Sequence, residues 1–376
     1  MLKDQKMLIV AGYAPSLLHF RGDLIEALTR AGVEVICTAP EQDAKVAAGL
    51  EGRGARYVPV GLRRNTVGVL SDLRYFLGLL ALIRAQRPDV VLAYTAKPVI
   101  YGLVAAWFSG VRRRYALITG LGYAFIAGSQ LRKALRAITS CLYRIALSRA
   151  TTVMFQNEDD RALFVRHRLV SAQRSVVVEG SGVDTQSFQP SKFPTGPITY
   201  LLIARLLADK GIREYVEAAK TLRLKAPEAR FLLVGPGDTN PAAIPIAEVK
   251  AWHATGAVEY LGELADVRLA IRQCHVYVLP SYREGMPRTV LEAMAMGRPV
   301  ITTDVPGCRQ AVTDGLNGVL VPPRNAAALA AVMERFIQHP DLIPVMGAHG
   351  REMAEKRFDV RAVNRRMLSC MGIGVA

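Results

Sequence analysis

The chain has 376 residues, about two domains at roughly 150 residues each. With 51% hydrophobic and 21% charged residues, 31 Gly and 20 Pro, its composition excludes a disordered or fibrous chain. The formal charge of +16 is uneven: residues 1–190 carry 25 basic and 14 acidic side chains, residues 191–376 carry 23 and 18, so the first half points to an anionic partner, whether nucleic acid, an acidic membrane surface or a phosphorylated ligand.

In chain order, Met7–Val10 predicts a buried strand, followed by a loop and a helix over Ser16–Ala31. Strands are then expected at Glu34–Ala39, Arg56–Pro59, Val90–Ala93, Tyr115–Thr119, Thr152–Phe155 and Ser175–Val178, with helices near Asp43–Gly52 and Val67–Gln86. Pro190–Pro197, with three prolines and a glycine, reads as a linker. Beyond it the alternation restarts, with strands at Ile198–Ile203, Arg230–Val234, Val258–Leu261, Val276–Pro280, Pro299–Thr302 and Val319–Val321. Helices are expected at Ile212–Lys225, Ala265–Cys274, Thr289–Met296 and, last, Arg351–Met371. Strands alternating with helical crossovers imply two parallel, doubly wound α/β domains in sequence.

Five scattered cysteines without a CxxC pair argue against a disulfide framework or a zinc site and fit a reducing cytoplasm. The N-terminus lacks the pattern of a signal peptide. The uncharged runs of the first half, Pro98–Val111 with its 14 residues among them, all fall short of the ~20 that span a bilayer, so the protein is expected to be soluble or peripheral.

The segment richest in chemistry runs from Ser281 to Pro299, SYREGMPRTVLEAMAMGRP. It puts Glu284 in the loop after a strand and Glu292 inside the next helix. The carboxyl end of a strand followed by a helix N-terminus is where open α/β sheets bind ligands, and the first-turn amides suit a diphosphate. A carboxylate in the helix can accept ribose hydroxyls and one in the loop the hydroxyls of a sugar. Two surface glutamates are the plain alternative, and the flanking Pro-Ser and Gly-Arg-Pro-Val sequences weigh against it. A second segment, Ile203-Ala-Arg205-Leu-Leu-Ala-Asp-Lys210-Gly211, offers a planar guanidinium and a mobile ammonium to one anion.

The stretch Pro280–Gly307, with the later Asp314-Gly-Leu-Asn-Gly318, closely resembles the family 4 retaining glycosyltransferases of the GT-B fold, and the resemblance extends over nearly the whole chain. It implies two Rossmann-like domains facing across a cleft. These are residues 1–189 for the acceptor, 190–355 for the nucleotide-sugar, and a final helix, 356–376, returning to the first. It also implies that Arg205 and Lys210 neutralise the departing diphosphate, that Glu284 holds the donor sugar and that Glu292 holds the ribose. Backbone near Gly285, Met286 and Thr289 completes the phosphate site; Pro287 has no N–H and only shapes the loop. No metal or cofactor is required. Gly235, in the turn Val234-Gly-Pro-Gly-Asp238, is placed near the nucleotide, although a tight turn explains such a glycine equally well. Leu261 lies in the segment whose backbone reads the base, and Gly12, after the first strand, lets backbone approach the donor phosphates or the acceptor.

Within the first half, Leu18–Ile25, Tyr94–Gly102 and Thr119–Phe125 resemble a narrower group, the bacterial α-1,3-N-acetylgalactosaminyltransferases that extend polyprenyl-diphosphate-linked glycans. Many relatives carry a histidine after the fourth strand, where this chain has Tyr94 and Thr95. On the acceptor side the candidates are Arg21, Thr95, Lys97 and Gly122, with Arg21 and Lys97 available to phosphates; His19 reads as a helix-face residue. The basic stretches Arg112–Arg114 and Leu131–Arg149 fit contact with an anionic membrane, an ordinary surface helix being the alternative. No nucleic-acid module is present, and Asn157–Asp160 reads as a helix start.

Together these readings predict a hexosyltransferase moving a hexose or N-acetylhexosamine from a UDP-sugar to a polyprenyl-diphosphate-linked glycan in polysaccharide biosynthesis, cytoplasmic and peripheral on the inner face of the cytoplasmic membrane. The rivals are a nucleotide-sugar 2-epimerase of the same fold and a non-catalytic basic membrane- or nucleic-acid-binding protein on this scaffold.

Overall fold

In the computed structural model, which describes residues 5–60, 68–120, 130–238, 240 and 242–373, the strands form two sheets that are parallel throughout. The first contains β1 (Lys6–Val10), β2 (Glu34–Thr38), β3 (Arg56–Tyr57), β4 (Val90–Tyr94), β5 (Arg113–Ile118), β6 (Thr152–Phe155) and β7 (Ser175–Val177), in the order β3-β2-β1-β4-β5-β6-β7. The second contains β8 (Thr199–Ile203), β9 (Arg230–Val234), β10 (Glu259–Tyr260), β11 (Val276–Leu279), β12 (Val300–Thr303) and β13 (Gly318–Val321), in the order β10-β9-β8-β11-β12-β13. Helices cover both faces, so central strands such as VVLAY and TYLLI are buried at every residue, which is why they read as unbroken apolar runs. The strand order reverses between β1 and β4 and again between β8 and β11. Each reversal opens a crevice at the carboxyl ends of its two strands.

Contacts divide the chain into two units: Met1–Ser181 with Arg361–Ala376, and Gly182–Val360. The division precedes the proline-rich stretch expected as the linker, because that stretch is held by the second unit. The buried Arg298 donates to the Ser191 carbonyl and hydroxyl, both at 2.8 Å, and lies over the Phe193 ring at 4.6 Å.

The expected single helix over Arg351–Met371 is two helices, Leu342–Arg357 and Val360–Cys370. They are broken because Val183 donates to the Phe358 carbonyl at 2.8 Å and accepts from the Val360 amide at 2.9 Å, a strand-like pairing that no helix can continue through. Past the break, Met367, Leu368, Met371 and Ile373 join the core of the first unit. There the Tyr115 hydroxyl donates to the Met371 carbonyl at 3.0 Å. The uncharged run after Lys97, given no element from sequence, folds as a π-turn over Pro98–Gly102 leading into a helix over Leu103–Phe108.

Candidate active site

In the second unit the loops after β8 and β11 meet at the reversal of strand order. The Tyr282 amide donates to the Asp209 carbonyl at 2.8 Å and ties the two together. Across this junction Lys210 Nζ lies 2.5 Å from Glu284 Oε1, with both side chains largely buried. The same oxygen accepts from Ser281 Oγ at 2.6 Å, and the Ser281 carbonyl accepts from the Thr303 hydroxyl at the end of β12. Glu284 is therefore fixed by three elements. Burial alone would lower the Lys210 ammonium, but the adjoining Glu284 carboxylate outweighs it and raises its pKa, so the cation persists through the physiological range.

Arg205, two residues beyond β8, bonds Asp238 Oδ2 at 2.8 Å and remains half exposed. Sequence reasoning placed Arg205 and Lys210 on one anion. Here each cation also has a carboxylate partner of its own, Asp238 for Arg205 and Glu284 for Lys210. Asp238 and Ser281 went unrecognised: Asp238 stood only at the end of a glycine turn, and a serine in a loop gives no spacing signal.

Glu292 is buried in the helix Arg288–Ala295, where Arg288 Nε reaches its Oε1 at 2.8 Å. Burial raises the Glu292 carboxyl, with Arg288 opposing. That i,i+4 pairing was readable from the helix spacing. The helix begins after Pro287 with no side-chain cap, and its Thr289 hydroxyl lies 2.6 Å from the Tyr277 hydroxyl, which also reaches the Ile203 carbonyl at 3.1 Å. One hydrogen-bonded chain thus joins β8, β11 and the helix start. Met286 is buried in the core beneath.

Gly235 has φ 152°, and a Cβ there would fall 1.7 Å from the Ala204 carbonyl oxygen, so the close approach of β8 and β9 by itself requires glycine. Its amide donates to the Gly262 carbonyl at 2.8 Å and its carbonyl accepts from the Tyr260 hydroxyl at 2.8 Å, which sets the partly exposed Leu261 beside it.

In the first unit Gly12, beyond β1, and Thr95, beyond β4, meet at the other reversal. A Cβ on Gly12 would lie 2.6 Å from Thr95 Oγ1. Thr95 has φ 69°, a strained conformation for a β-branched residue. Lys97 reaches Asp72 Oδ1 at 2.7 Å, and the Tyr101 hydroxyl donates to Asp72 Oδ2 at 2.8 Å. Arg21, expected at an acceptor phosphate, is 2% exposed, its guanidinium 5.5 Å from the centre of the Tyr94 ring; Tyr94 in turn bonds Ser16 at 2.7 Å. Gly122 lies outside the described residues. Asn157 caps the helix Glu158–Arg166 by accepting from the Asp160 amide at 2.8 Å.

Comparison with known proteins fits this geometry. The family described as glycosyl transferases group 1 matches residues 197–339, and the glycosyl transferase 4-like domain matches residues 20–180. The N,N'-diacetylbacillosaminyl-diphospho-undecaprenol α-1,3-N-acetylgalactosaminyltransferase of Campylobacter jejuni is 28% identical over 341 residues, 87% of this chain and 88% of its own. The UDP-Gal:α-D-GlcNAc-diphosphoundecaprenol α-1,3-galactosyltransferase of Escherichia coli is 25% identical over 324 residues, 81% and 80% of the two chains. The crystal structure of Anabaena HepE in complex with UDP aligns with a TM-score of 0.77 at 17% identity, over 98% of this chain and 100% of that one. The fold is GT-B. The chain carries a glycosyl transferase 4-like domain followed by a glycosyl transferases group 1 domain and is a glycosyltransferase.

Proposed function

We propose that this enzyme moves a hexose or N-acetylhexosamine from a UDP-sugar, with retention of configuration, to a glycan on a polyprenyl diphosphate in bacterial surface glycan assembly. The observation that carries the reading is the Lys210–Glu284 pair at the reversal of strand order in the second sheet. It is supported by relatives whose names describe α-1,3 transfer onto diphospho-undecaprenol-linked sugars.

Glu284, with one oxygen committed to Lys210 and Ser281, offers the other to a hydroxyl of the donor sugar. As the glycosidic bond to the diphosphate breaks, negative charge grows on the leaving oxygen, and Lys210 and Arg205 hold fixed positive charge there. Arg205 is the more available, since its contact is a half-exposed ion pair that a diphosphate can displace. The start of the helix Arg288–Ala295, with Gly285, Met286 and Thr289, receives the phosphates, and Glu292 receives the ribose. Gly235 and Leu261 border the base. Gly12 lets backbone approach the donor phosphates or the acceptor, Thr95 and Lys97 serve the acceptor, and Arg21 acts through the Tyr94 ring that it packs against. The two cations take the part a divalent metal plays elsewhere, so no metal or cofactor is needed. We place the enzyme in the cytoplasm, peripheral on the inner face of the membrane; no helix among the described residues is long and apolar enough to cross a bilayer.

A donor screen tests the reading: purified protein, UDP-, GDP- and ADP-sugars, and a membrane lipid extract, with nucleotide release and label in lipid both followed. Label entering lipid from one UDP-sugar is expected. Interconversion of the sugar with donor alone supports the epimerase, and no turnover of any donor removes the enzymatic reading.

A further inference from the structure

The site described above leaves most of the first unit's basic excess unused. Between Asp89 and Glu158 the sequence has no Asp or Glu and nine Lys or Arg. That stretch supplies two of three helices, Val69–Gln86, Leu103–Phe108 and Gln130–Ser148, that lie side by side on one face of the first sheet. Their inner residues, Tyr75, Leu79, Leu103, Tyr143 and Leu147, share one core.

Their outer faces are apolar as well. Leu70, Leu73 and Leu77 recur at i, i+3 and i+7 on the back of the first helix, with Leu70 70% exposed. Ile138, Cys141 and Ile145 repeat the spacing on the back of the third, with Ile138 59% exposed. Trp107 and the 57%-exposed Phe108 end the short helix between them, where Phe108 meets Phe76 edge-on at 6.3 Å. A lone exposed leucine is ordinary, but two parallel stripes joined by an aromatic pair make a patch. The rim is cationic: Arg149 lies 4.1 Å from the centre of the Trp107 ring, and Arg74, Arg112 and Arg144 are exposed.

We propose that this three-helix face docks on an anionic phospholipid bilayer, with Trp107 and Phe108 entering the headgroup region. The inference rests on the lipid-linked acceptor of the proposed function and names the surface that meets the lipid. An indole beside a guanidinium suits the boundary between water and acyl chains, and arginine stems cover apolar surface while their heads reach phosphates. A second copy of the chain would bring one arginine rim against another, which like charges oppose.

The chain's two tryptophans are Trp107 and Trp252, so Trp252→Phe leaves Trp107 as the sole reporter. Trp252 packs partly buried against the core of the other unit. Binding would be read by sedimentation with phosphatidylcholine vesicles containing about a quarter phosphatidylglycerol, and with pure phosphatidylcholine. The expected result is binding to the anionic vesicles only, weakening about tenfold as salt rises toward ~0.5 M, with blue-shifted Trp107 emission quenched by brominated lipid. Leu73→Ser with Phe108→Ser should weaken binding about tenfold while UDP release from donor alone stays unchanged. Arg112→Glu with Arg149→Glu should weaken binding and remove its salt dependence. Sedimentation without Trp107 quenching, no sedimentation, or dimers lost in the Leu73/Phe108 variant would each overturn the proposal. Sedimentation needs no sugar, so vesicle binding without an acceptor that takes label would refute the acceptor assignment alone.

Discussion

The two units place their candidate residues at the same topological position and equip it differently. At the reversal between β8 and β11 the loops carry charge in fixed pairs, Lys210 with Glu284 and Arg205 with Asp238. At the reversal between β1 and β4 the backbone itself is the feature: Gly12 sits against Thr95, which holds a left-handed conformation, while Lys97 and Asp72 pair to one side. Topology thus fixes where a ligand binds, and loop chemistry decides which. On the proposed function, the second site would serve a leaving group that gains charge during the reaction, and the first the close approach of the acceptor.

The comparison breaks first at Lys210 and Glu284. Lys210→Ala or Glu284→Gln should lower kcat by about 10²–10³-fold, the usual cost of removing a fixed electrostatic group from a site where charge develops. Lys97→Ala should instead raise KM for the acceptor by about tenfold, with kcat little changed. If steady-state kinetics gave the two units equal losses in kcat, the division of labour would be wrong. Next comes Arg205→Ala, expected to cost about tenfold to a hundredfold in kcat. Asp238→Asn, by releasing Arg205, should lower KM for the donor. Arg112→Ala, a substitution away from either reversal, is the control and should leave UDP release from donor alone unchanged.

Much of this was legible before any coordinates. The thirteen strands among the described residues were all expected, the central ones because parallel strands buried on both faces are continuous apolar runs between turn residues, and the Glu284–Glu292 motif marks the loop after β11 by its own glycine and prolines. What escaped was set by partners far along the chain. Nothing near Phe358 says that Val183 will pair there and end a helix, and nothing near Pro190 says that Arg298 will clamp the stretch. Arg21, expected at an acceptor phosphate, is buried on the helix Pro15–Arg30 beside the Tyr94 ring at the end of β4, a partner far along the chain. The separate carboxylates of Arg205 and Lys210 were hidden for the same reason, since Asp238 follows β9 and Glu284 follows β11.

A smaller effect sharpens the first unit's side of the comparison. Gly12→Ala puts a methyl group where Thr95 Oγ1 stands, 2.6 Å away, and should destabilise the unit by about 1–3 kcal/mol. In a Thr95→Gly background the hydroxyl is gone and so is the backbone strain, so the same alanine should cost less. A double-mutant cycle in urea reads the coupling directly. Additive costs would mean that Gly12 is required by something other than Thr95.

The smallest effect separates the two glutamates of the motif by pH. Burial raises the Glu292 carboxyl above its ordinary 4.5, with the Arg288 contact opposing. From about pH 4.5 upward the native state then holds a proton that the unfolded chain has released, so stability falls as pH rises until Glu292 ionises in the folded state, and the loss is constant beyond. Glu292→Gln has no proton to lose there. Its stability relative to the wild type should therefore improve as pH rises from about 4 toward 7, read by urea unfolding at each pH. Lys210 follows the same sign at the other end of the scale: with its pKa raised in the folded state, its contribution is complete below the ordinary lysine value of 10.5 and is lost only as pH climbs through the raised one. If Glu292→Gln instead lost ground as pH rose, the Arg288 contact would outweigh burial. Glu292 would then be held as an ion pair like Glu284, and the contrast between a buried carboxyl and a charge-paired one within one motif would collapse.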